Sequence, residues 1–143
     1  MNTLPVRFTH PHAELPTRAH PTDAGLDLAP SETTHIAPGV VTLVPTGIAV
    51  AIPEGHVGIL AARSSLAVKN SLALANGVGI IDSGYRGEIK VPVIPLDGCH
   101  NIAQAGYSIA QLLILPIALP TVEVVTELPD SERGAGAFGS TGA

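Results

Sequence analysis

A chain of 143 residues with 7 basic and 12 acidic side chains carries a formal net charge of −5, which argues against a nucleic-acid-binding module. Charged residues make up only 13% of the sequence, roughly half the usual share, so disorder is excluded and surface buried between subunits is expected. The single Cys99 excludes an intrachain disulfide. There is also no apolar leader and no apolar run of the ~20 residues that a membrane span needs, so a cytoplasmic protein is predicted.

Short runs rich in valine and isoleucine, separated by glycine or proline, predict an all-β domain of many short strands. The predicted strands cover residues 40–44, 48–52, 57–60, 89–94, 109–117 and 122–125. One short helix is predicted from residue 64 or 65 to about residue 70, with a serine as its N-cap. Because proline cannot donate a ladder hydrogen bond, Pro92 and Pro95 predict that their strand lies at a sheet edge or carries a bulge.

The first candidate site residue in chain order is Asp27, which lies between two leucines in a strand-like run. Its carboxylate either simply faces solvent or supplies an oxygen ligand to a hard cation or a metal-bound water. The next candidates are Arg63, Ser64 and Ser65 at the predicted helix start. A guanidinium, two hydroxyls and free N–H groups can cradle a phosphate there; the alternative is a plain serine cap beside a solvated arginine.

The centre of the sequence holds further candidates. Asn76-Gly77 is a strong hairpin-turn signal. Asp82 directly follows an apolar run, so it either forms a turn or, as a carboxylate at a strand end, positions a water. Tyr85 is either a packed core ring or part of the site. Gln111, a neutral polar residue in an apolar strand, is either a buried, satisfied amide or a ligand contact.

The last eleven residues differ from the rest, with four glycines together with Arg133 and Phe138. Such a segment is either a frayed terminus or a mobile lid whose glycine backbone folds over an anionic ligand. We therefore divide the chain into a β domain of residues 1–132 and an arm of residues 133–143.

Five segments, taken in their order and spacing, resemble the motifs of the trimeric dUTPase family. They are residues 24–28 (AGLDL), 62–67 (ARSSLA), 76–87 (NGVGIIDSGYRG), 106–112 (GYSIAQL) and 133–142 (RGAGAFGSTG). The third and fifth are highly specific, whereas the related dCTP deaminases share looser forms of the other three. Two positions depart from the family pattern: Ala137 replaces a glycine, and Leu26 stands where many members have tyrosine.

The resemblance implies a jelly-roll-like (β-clip) subunit with one short helix and a glycine-rich C-terminal arm. It also implies a homotrimer whose three active sites lie at subunit interfaces, each closed by an arm. The implied reaction is the Mg²⁺-assisted hydrolysis of dUTP to dUMP and pyrophosphate, which keeps uracil out of DNA and supplies dUMP for dTTP synthesis. Neither nucleic acid nor a membrane is an expected partner.

The family's roles fall on matching residues of this sequence. Asp82 would orient and deprotonate the attacking water, Tyr85 would stack on the deoxyribose, and Asp27 would hold Mg²⁺ through a coordinated water. The implied substrate contacts of the β domain are Arg63, Ser64, Ser65, Asn76, Gly79, Ile81, Lys90 and Gln111. In the arm, Arg133 would bind the γ-phosphate and Phe138 would stack on the uracil. The other implied arm contacts are Gly139, Ser140 and Thr141.

Two alternative functions stand beside this one. A dCTP deaminase, or a bifunctional deaminase–dUTPase, would need a general acid–base carboxylate, for which Glu88 is available. A non-catalytic nucleotide-binding regulatory trimer could use the same scaffold. The complete fifth motif argues against the first alternative, and the intact Asp82 argues against the second.

Overall fold

The computed structural model describes residues 3–132, 134 and 135, and short strands make up most of its regular structure. The strands are β1 (Val6–Phe8), β2 (Leu26–Leu28), β3 (Thr34–Ile36), β4 (Thr42–Pro45), β5 (Ile48–Val50), β6 (His56–Ala62), β7 (Leu72–Leu74), β8 (Gly79–Ile81), β9 (Lys90–Pro95), β10 (Asn101–Ala103) and β11 (Ala110–Pro116). The helix α1 (Ser64–Asn70) lies between β6 and β7. The predicted all-β class with one short helix is confirmed. Within the described residues, no helix has the length and apolar character needed to cross a membrane.

The strands pair antiparallel in four small sheets. These are β1-β5, β3-β10, β4-β9-β7 and β2-β11-β6-β8. The four-stranded sheet positions much of the candidate site, because its register places Gln111 of β11 between Asp27 of β2 and Ala61 of β6.

Residues of the four-stranded sheet alternate between two faces. Leu60 and Leu112 point into the core and are 3% and 0% exposed. The neighbouring positions Ile59, Ile80 and Leu113 form a cross-strand row on the opposite face. Ile80 is 63% exposed, so the described residues of one chain leave apolar area on this face uncovered.

The prediction that Pro92 and Pro95 mark an edge strand or a bulge is wrong, because β9 is the central strand of its sheet and pairs in continuous register on both sides. The Pro92 carbonyl points toward β7 and accepts a hydrogen bond of 2.9 Å from Ala75, just after β7 ends. Successive residues of a strand direct their backbone N–H and C=O groups to opposite sides, so the Pro95 nitrogen points toward β4. Strand β4 begins at Thr42, which pairs with Val93, and has no residue opposite Pro95. Each proline, which has no backbone N–H to donate, therefore faces a position at which the neighbouring strand has no residue.

Helix α1 confirms the predicted helical range but not the predicted serine cap. The N-cap is Arg63, with φ −74° and ψ 147°, and it makes no side-chain capping hydrogen bond. Ser64 and Ser65 are already helical, so their hydroxyls lie past the position from which a cap acts. Burial of Leu66, which is 0% exposed, holds the helix on the domain instead.

Two further predictions are wrong because strand pairing differs from what the local sequence indicates. Residues 122–125 do not form a strand: Val122 and Val124 are 89% and 95% exposed, and no described strand pairs with them. High β-propensity does not maintain a strand without a partner. The Asn76-Gly77 turn forms, with Gly77 at φ +70°, but it does not close a hairpin, because β7 pairs with β9 and β8 with β6.

Candidate active site

Six of the predicted site residues line one cleft of about 270 Å³, which we call the Asp82 cleft. They are Asn76, Gly79, Ile81, Asp82, Tyr85 and Lys90. The cleft lies along β8, one of the two edge strands of the four-stranded sheet, and apolar side chains such as Leu43, Ile80 and Pro92 complete its wall. Carboxylates, one phenol ring and apolar walls suit a flat, partly polar ligand.

Asp82 stands where β8 ends and a tight turn begins. Its main-chain carbonyl accepts a hydrogen bond of 3.0 Å from the Tyr85 N–H, and the residue is exposed. Arg86 closes the same turn by donating to the carbonyls of Ser83 and Tyr85 at 2.6 and 2.8 Å. The two interpretations of Asp82 are therefore compatible, because the residue forms a turn and also brings a carboxylate to the cleft. Such a carboxylate can accept a proton from a water held beside it.

Tyr85 lines the cleft and is not a core ring. Its hydroxyl donates to the Glu88 carbonyl at 2.9 Å, and the residue is 46% exposed. The ring lies against Gly87, where an added Cβ would be only 2.6 Å from the ring atom Cζ. The glycine therefore makes room for the ring, and the hydroxyl contact fixes its orientation.

A second cleft, of about 320 Å³, contains most of the residues predicted to bind phosphate and metal, and we call it the Asp27 cleft. It is lined by Asp27, Arg63, Ser64 and Gln111. Asp27 Oδ1 lies 3.3 Å from Arg63 Nε, so the carboxylate holds the guanidinium beside the cleft. Because a guanidinium has five N–H donors, this ion pair leaves donor capacity for a phosphate.

Gln111 is fixed from two directions. Its Nε2 donates to the Ala62 carbonyl at 3.1 Å, and its side chain lies directly against Gly25. The residue is half-buried, not enclosed in the core. An amide nitrogen has two N–H donors, so the contact with Ala62 leaves one for a ligand oxygen.

Not every predicted contact lies in these two clefts. Ser65 lines a separate cleft with Lys69 and Tyr107, although Arg63 borders that cleft as well. The predicted arm contacts Arg133, Phe138, Gly139, Ser140 and Thr141 lie outside the described residues.

Two carboxylates in the clefts were not assigned to this site from the sequence. Asp23 lines the Asp27 cleft, and its Oδ2 accepts a hydrogen bond of 2.9 Å from the His20 N–H. Its position just before the first motif was an available signal. Glu88 lines the Asp82 cleft, with its carboxylate 2.9 Å from the Gly47 nitrogen and 3.8 Å from Lys90 Nζ. No sequence signal predicts the first of these contacts, because the two residues are 41 positions apart.

The Asp82 cleft and the Asp27 cleft share no lining residue. The candidate general base and the candidate phosphate ligands therefore belong to different clefts of the chain. The described residues of one copy do not bring all the predicted site residues into a single cleft.

The Asp27 cleft offers oxygen donors to a cation, namely the carboxylates of Asp23 and Asp27 and the amide oxygen of Gln111. Hard cations such as Mg²⁺ prefer oxygen ligands and usually keep several waters. In the part of the chain that the structure describes, no group of three or more His, Cys, Asp or Glu residues could hold a metal ion. The carboxylate and amide oxygens of this cleft fit a hard cation such as Mg²⁺ that keeps several of its waters.

The chain combines a cleft with a carboxylate and a tyrosine, which can position a water, and a cleft with an arginine, a serine and a glutamine, which can bind phosphate oxygens. These are the chemical groups of a hydrolase that acts on a phosphorylated ligand. The sequence model of the dUTPase family matches residues 11–142. The chain belongs to the dUTPase family, and it is therefore a hydrolase of nucleotide metabolism.

Individual relatives agree with this assignment. The deoxyuridine 5'-triphosphate nucleotidohydrolase of Rhodococcus erythropolis is 47% identical over 141 residues, covering 98% of this chain and 86% of that relative. The Staphylococcus bacteriophage 80alpha dUTPase solved with dUPNHPP has a TM-score of 0.91 at 33% identity, over 100% of both chains. A mutant dUTPase from S. aureus phage phi11, described with a structural Mg(II) ion, has a TM-score of 0.79 at 32% identity, over 88% of this chain and 98% of that one. The family resemblance and the jelly-roll-like fold are both confirmed.

Proposed function

We propose that the protein hydrolyses dUTP to dUMP and pyrophosphate. The observation that carries the proposal is the Asp82 cleft, where one short turn presents a carboxylate and an anchored tyrosine ring together. Family membership and the likeness to a dUTPase solved with dUPNHPP support it. The reaction would keep uracil out of DNA and supply dUMP for dTTP synthesis. We assign it to the cytoplasm, where the exposed thiol of Cys99 stays reduced.

In this proposal the Asp82 cleft binds the nucleoside. The Tyr85 ring stacks on the deoxyribose and leaves no room for a 2′-hydroxyl. A base contact that donates to uracil O4 rejects cytosine, whose 4-amino group is itself a donor. The base contacts are Asn76, Gly79 and Ile81, and Lys90 contacts the substrate from the cleft wall.

Asp82 accepts the proton of the attacking water. The water oxygen forms a bond to the α-phosphorus, the bond from that phosphorus to the bridging oxygen breaks, and pyrophosphate leaves. Such a displacement needs a positioned nucleophile, neutralised phosphate charge and a site that excludes bulk water. One well-placed carboxylate is therefore sufficient as the general base.

The Asp27 cleft binds the triphosphate in this proposal. Its phosphate ligands are Arg63, Ser64 and Gln111, with Ser65 beside them. Asp27 holds Mg²⁺ through a coordinated water and keeps the Arg63 guanidinium beside the cleft. When bound, Mg²⁺ would neutralise phosphate charge and make pyrophosphate a better leaving group. The structural Mg(II) ion described for the phage phi11 relative is consistent with a metal in this family.

The position of Gln111 can be tested through Gly25, where an added Cβ would lie 2.9 Å from Gln111 Cβ and closer still to Oε1. We expect Gly25→Ala to displace the amide and to lower kcat/KM for dUTP by roughly tenfold, the scale of one lost hydrogen bond. Gln111→Ala is the matched comparison, because it removes the same amide directly. If steady-state kinetics show the unmodified kcat/KM in both variants, Gln111 is not a phosphate ligand.

We also propose that residues 133–143 act as an arm that closes the site over the 1–132 domain. In it, Arg133 binds the γ-phosphate and Phe138 stacks on the uracil. The further phosphate contacts are Gly139, Ser140 and Thr141. The support for this role is the fifth motif itself, which combines glycines with one arginine and one phenylalanine.

We propose that three copies form a homotrimer with shared sites. Because one chain divides the candidate residues between two clefts, the Asp82 cleft of one copy and the Asp27 cleft of another would form each complete site. The apolar row of Ile59, Ile80 and Leu113, in which Ile80 is exposed and the other two are half-buried, supports assembly, since a second copy could bury it. The low charge content of the chain supports it as well.

We expect light scattering to give three times the 14.5 kDa mass of the chain. Burial of the apolar row should keep this assembly intact at micromolar concentration. A stable monomer at that concentration would contradict both the trimer and the shared site.

The proposed reaction is tested by assaying dUTP and dCTP in parallel with Mg²⁺ and measuring pyrophosphate and ammonia. We expect pyrophosphate from dUTP and no ammonia from dCTP. Ammonia release would indicate a deaminase, and binding of both nucleotides without turnover would indicate a regulatory protein. The contacts of Glu88 argue against the deaminase, because its carboxylate already interacts with Gly47 and Lys90.

A further inference from the structure

We propose that Glu88 is a positioning residue for sugar recognition. Its carboxylate fixes the turn that orients Tyr85, and it thereby sets the preference for deoxyribose over ribose. This inference rests on the proposed function, because it assigns the Tyr85 ring to the sugar.

Glu88 connects the tyrosine ring to a distant loop. Its main-chain carbonyl accepts the Tyr85 hydroxyl at 2.9 Å, and its Oε1 accepts the Gly47 N–H at 2.9 Å. Its Oε2 lies 3.8 Å from Lys90 Nζ, and the side chain is 24% exposed. The carbonyl oxygen that orients the Tyr85 ring therefore belongs to Glu88. The Glu88 side chain is in turn held by Gly47, which lies outside the turn.

The loop that holds Glu88 is itself closely packed. Gly47 has φ +70°, and an added Cβ would lie 2.7 to 2.8 Å from side-chain atoms of Ala13 and Ser31. Beside it, the buried hydroxyl of Thr46 donates to the Ile89 carbonyl at 2.6 Å. Thr46 and Gly47 are adjacent, and they hydrogen-bond to the adjacent residues Ile89 and Glu88. These contacts hold the chain that follows Tyr85 and thereby limit movement of the ring.

The contact with Gly47 should matter more than the contact with Lys90. A hydrogen bond from a backbone N–H to an acceptor oxygen is, in a half-buried place, not replaced easily by water. The Lys90 ion pair is longer, and its lysine side chain is 49% exposed, so solvent screens it. The proposed role therefore depends on an acceptor oxygen at this distance from the backbone and does not require the negative charge.

This distinction defines the variants to compare. Glu88→Gln keeps an acceptor oxygen at the same reach but loses the charge, whereas Glu88→Asp keeps the charge but is too short. Glu88→Ala removes both, and Glu54→Ala is the control for loss of an exposed glutamate outside the clefts. For each protein, kcat and KM are measured with dUTP and UTP, together with Tm.

We expect the dUTP-to-UTP ratio of kcat/KM to fall by roughly tenfold in the Ala and Asp variants, mainly through a higher kcat/KM for UTP, because a less fixed Tyr85 ring leaves room for the 2′-hydroxyl. The Gln variant and the Glu54 control should keep the ratio of the unmodified protein within about threefold. If the Ala variant does not fold, the comparison of Asp with Gln decides the question.

Two results would overturn the inference while the unmodified protein still hydrolyses dUTP. One is an unchanged ratio with only a lower Tm in the Ala and Asp variants, which would make Glu88 purely structural. The other is a reduced ratio in the Gln but not the Asp variant, which would show that charge matters and reach does not. Absence of dUTP turnover in the unmodified protein would instead contradict the proposed function, and this inference with it.

Discussion

The Asp82→Asn variant is expected to hydrolyse dUTP roughly 100-fold or more slowly than the unmodified protein, the usual scale for loss of a general base. Asparagine has nearly the same size and is itself a good turn residue, so the turn closed by the Tyr85 N–H should persist. Nucleotide binding and Tm should therefore change little. The measurement is single-turnover hydrolysis together with the Kd of a non-hydrolysable dUTP analogue.

The matched control is Asp97→Asn. Asp97 is also an exposed turn carboxylate, with Oδ1 accepting the Cys99 N–H at 2.9 Å, and it lines neither cleft. Its replacement should leave turnover unchanged. A near-normal rate in the Asp82 variant would show that another group activates the water.

Deletion of residues 133–143 is expected to remove most of the turnover, by about tenfold or more, while the oligomeric state stays the same. Assembly should survive because all described strands end by Pro116. Activity should fall because the phosphate contact of Arg133 and the uracil contact of Phe138 would be lost, and water would enter the site. Light scattering and dUTP turnover are measured on the same truncated protein.

A shorter truncation controls for the loss of chain length. Removing only residues 142 and 143 leaves every predicted arm contact, including Ser140 and Thr141, in the protein. This variant should retain full activity. If the longer truncation is also fully active, the arm has no part in catalysis and its glycines indicate only a frayed terminus.

The fold class could be predicted because it depends on local patterns. Valine- and isoleucine-rich runs separated by glycine and proline indicate strands wherever each strand finds a partner, and α1 lay where predicted. Partner choice is not local, and every fold prediction that was wrong concerned it or the exact start of a helix. The valines of residues 122–125 have no described partner strand, and the prolines of β9 lie opposite the ends of neighbouring strands.

The candidate site residues remain predictions, and all of them except Lys90 came from the five motifs. Their grouping into two clefts depends on strand register, such as Gln111 opposite Asp27. The Asp27–Arg63 ion pair follows from that register together with the start of α1 and could not be obtained from spacing. Glu88 shows the limit most clearly, since one of its contacts uses a main-chain atom and another reaches Gly47 across 41 positions.

We propose that one copy supplies the Asp82 cleft and another the Asp27 cleft of each dUTP-hydrolysing site. Co-expression of Asp82→Asn with Arg63→Ala chains tests this arrangement, because each variant alone lacks one cleft at every site. A trimer that contains both kinds of chain has one site in three that combines an intact Asp82 cleft with an intact Asp27 cleft. We therefore predict that mixed trimers, purified through two different tags, regain about a third of the unmodified dUTP turnover. Turnover no higher than that of the separate variants would contradict a shared site.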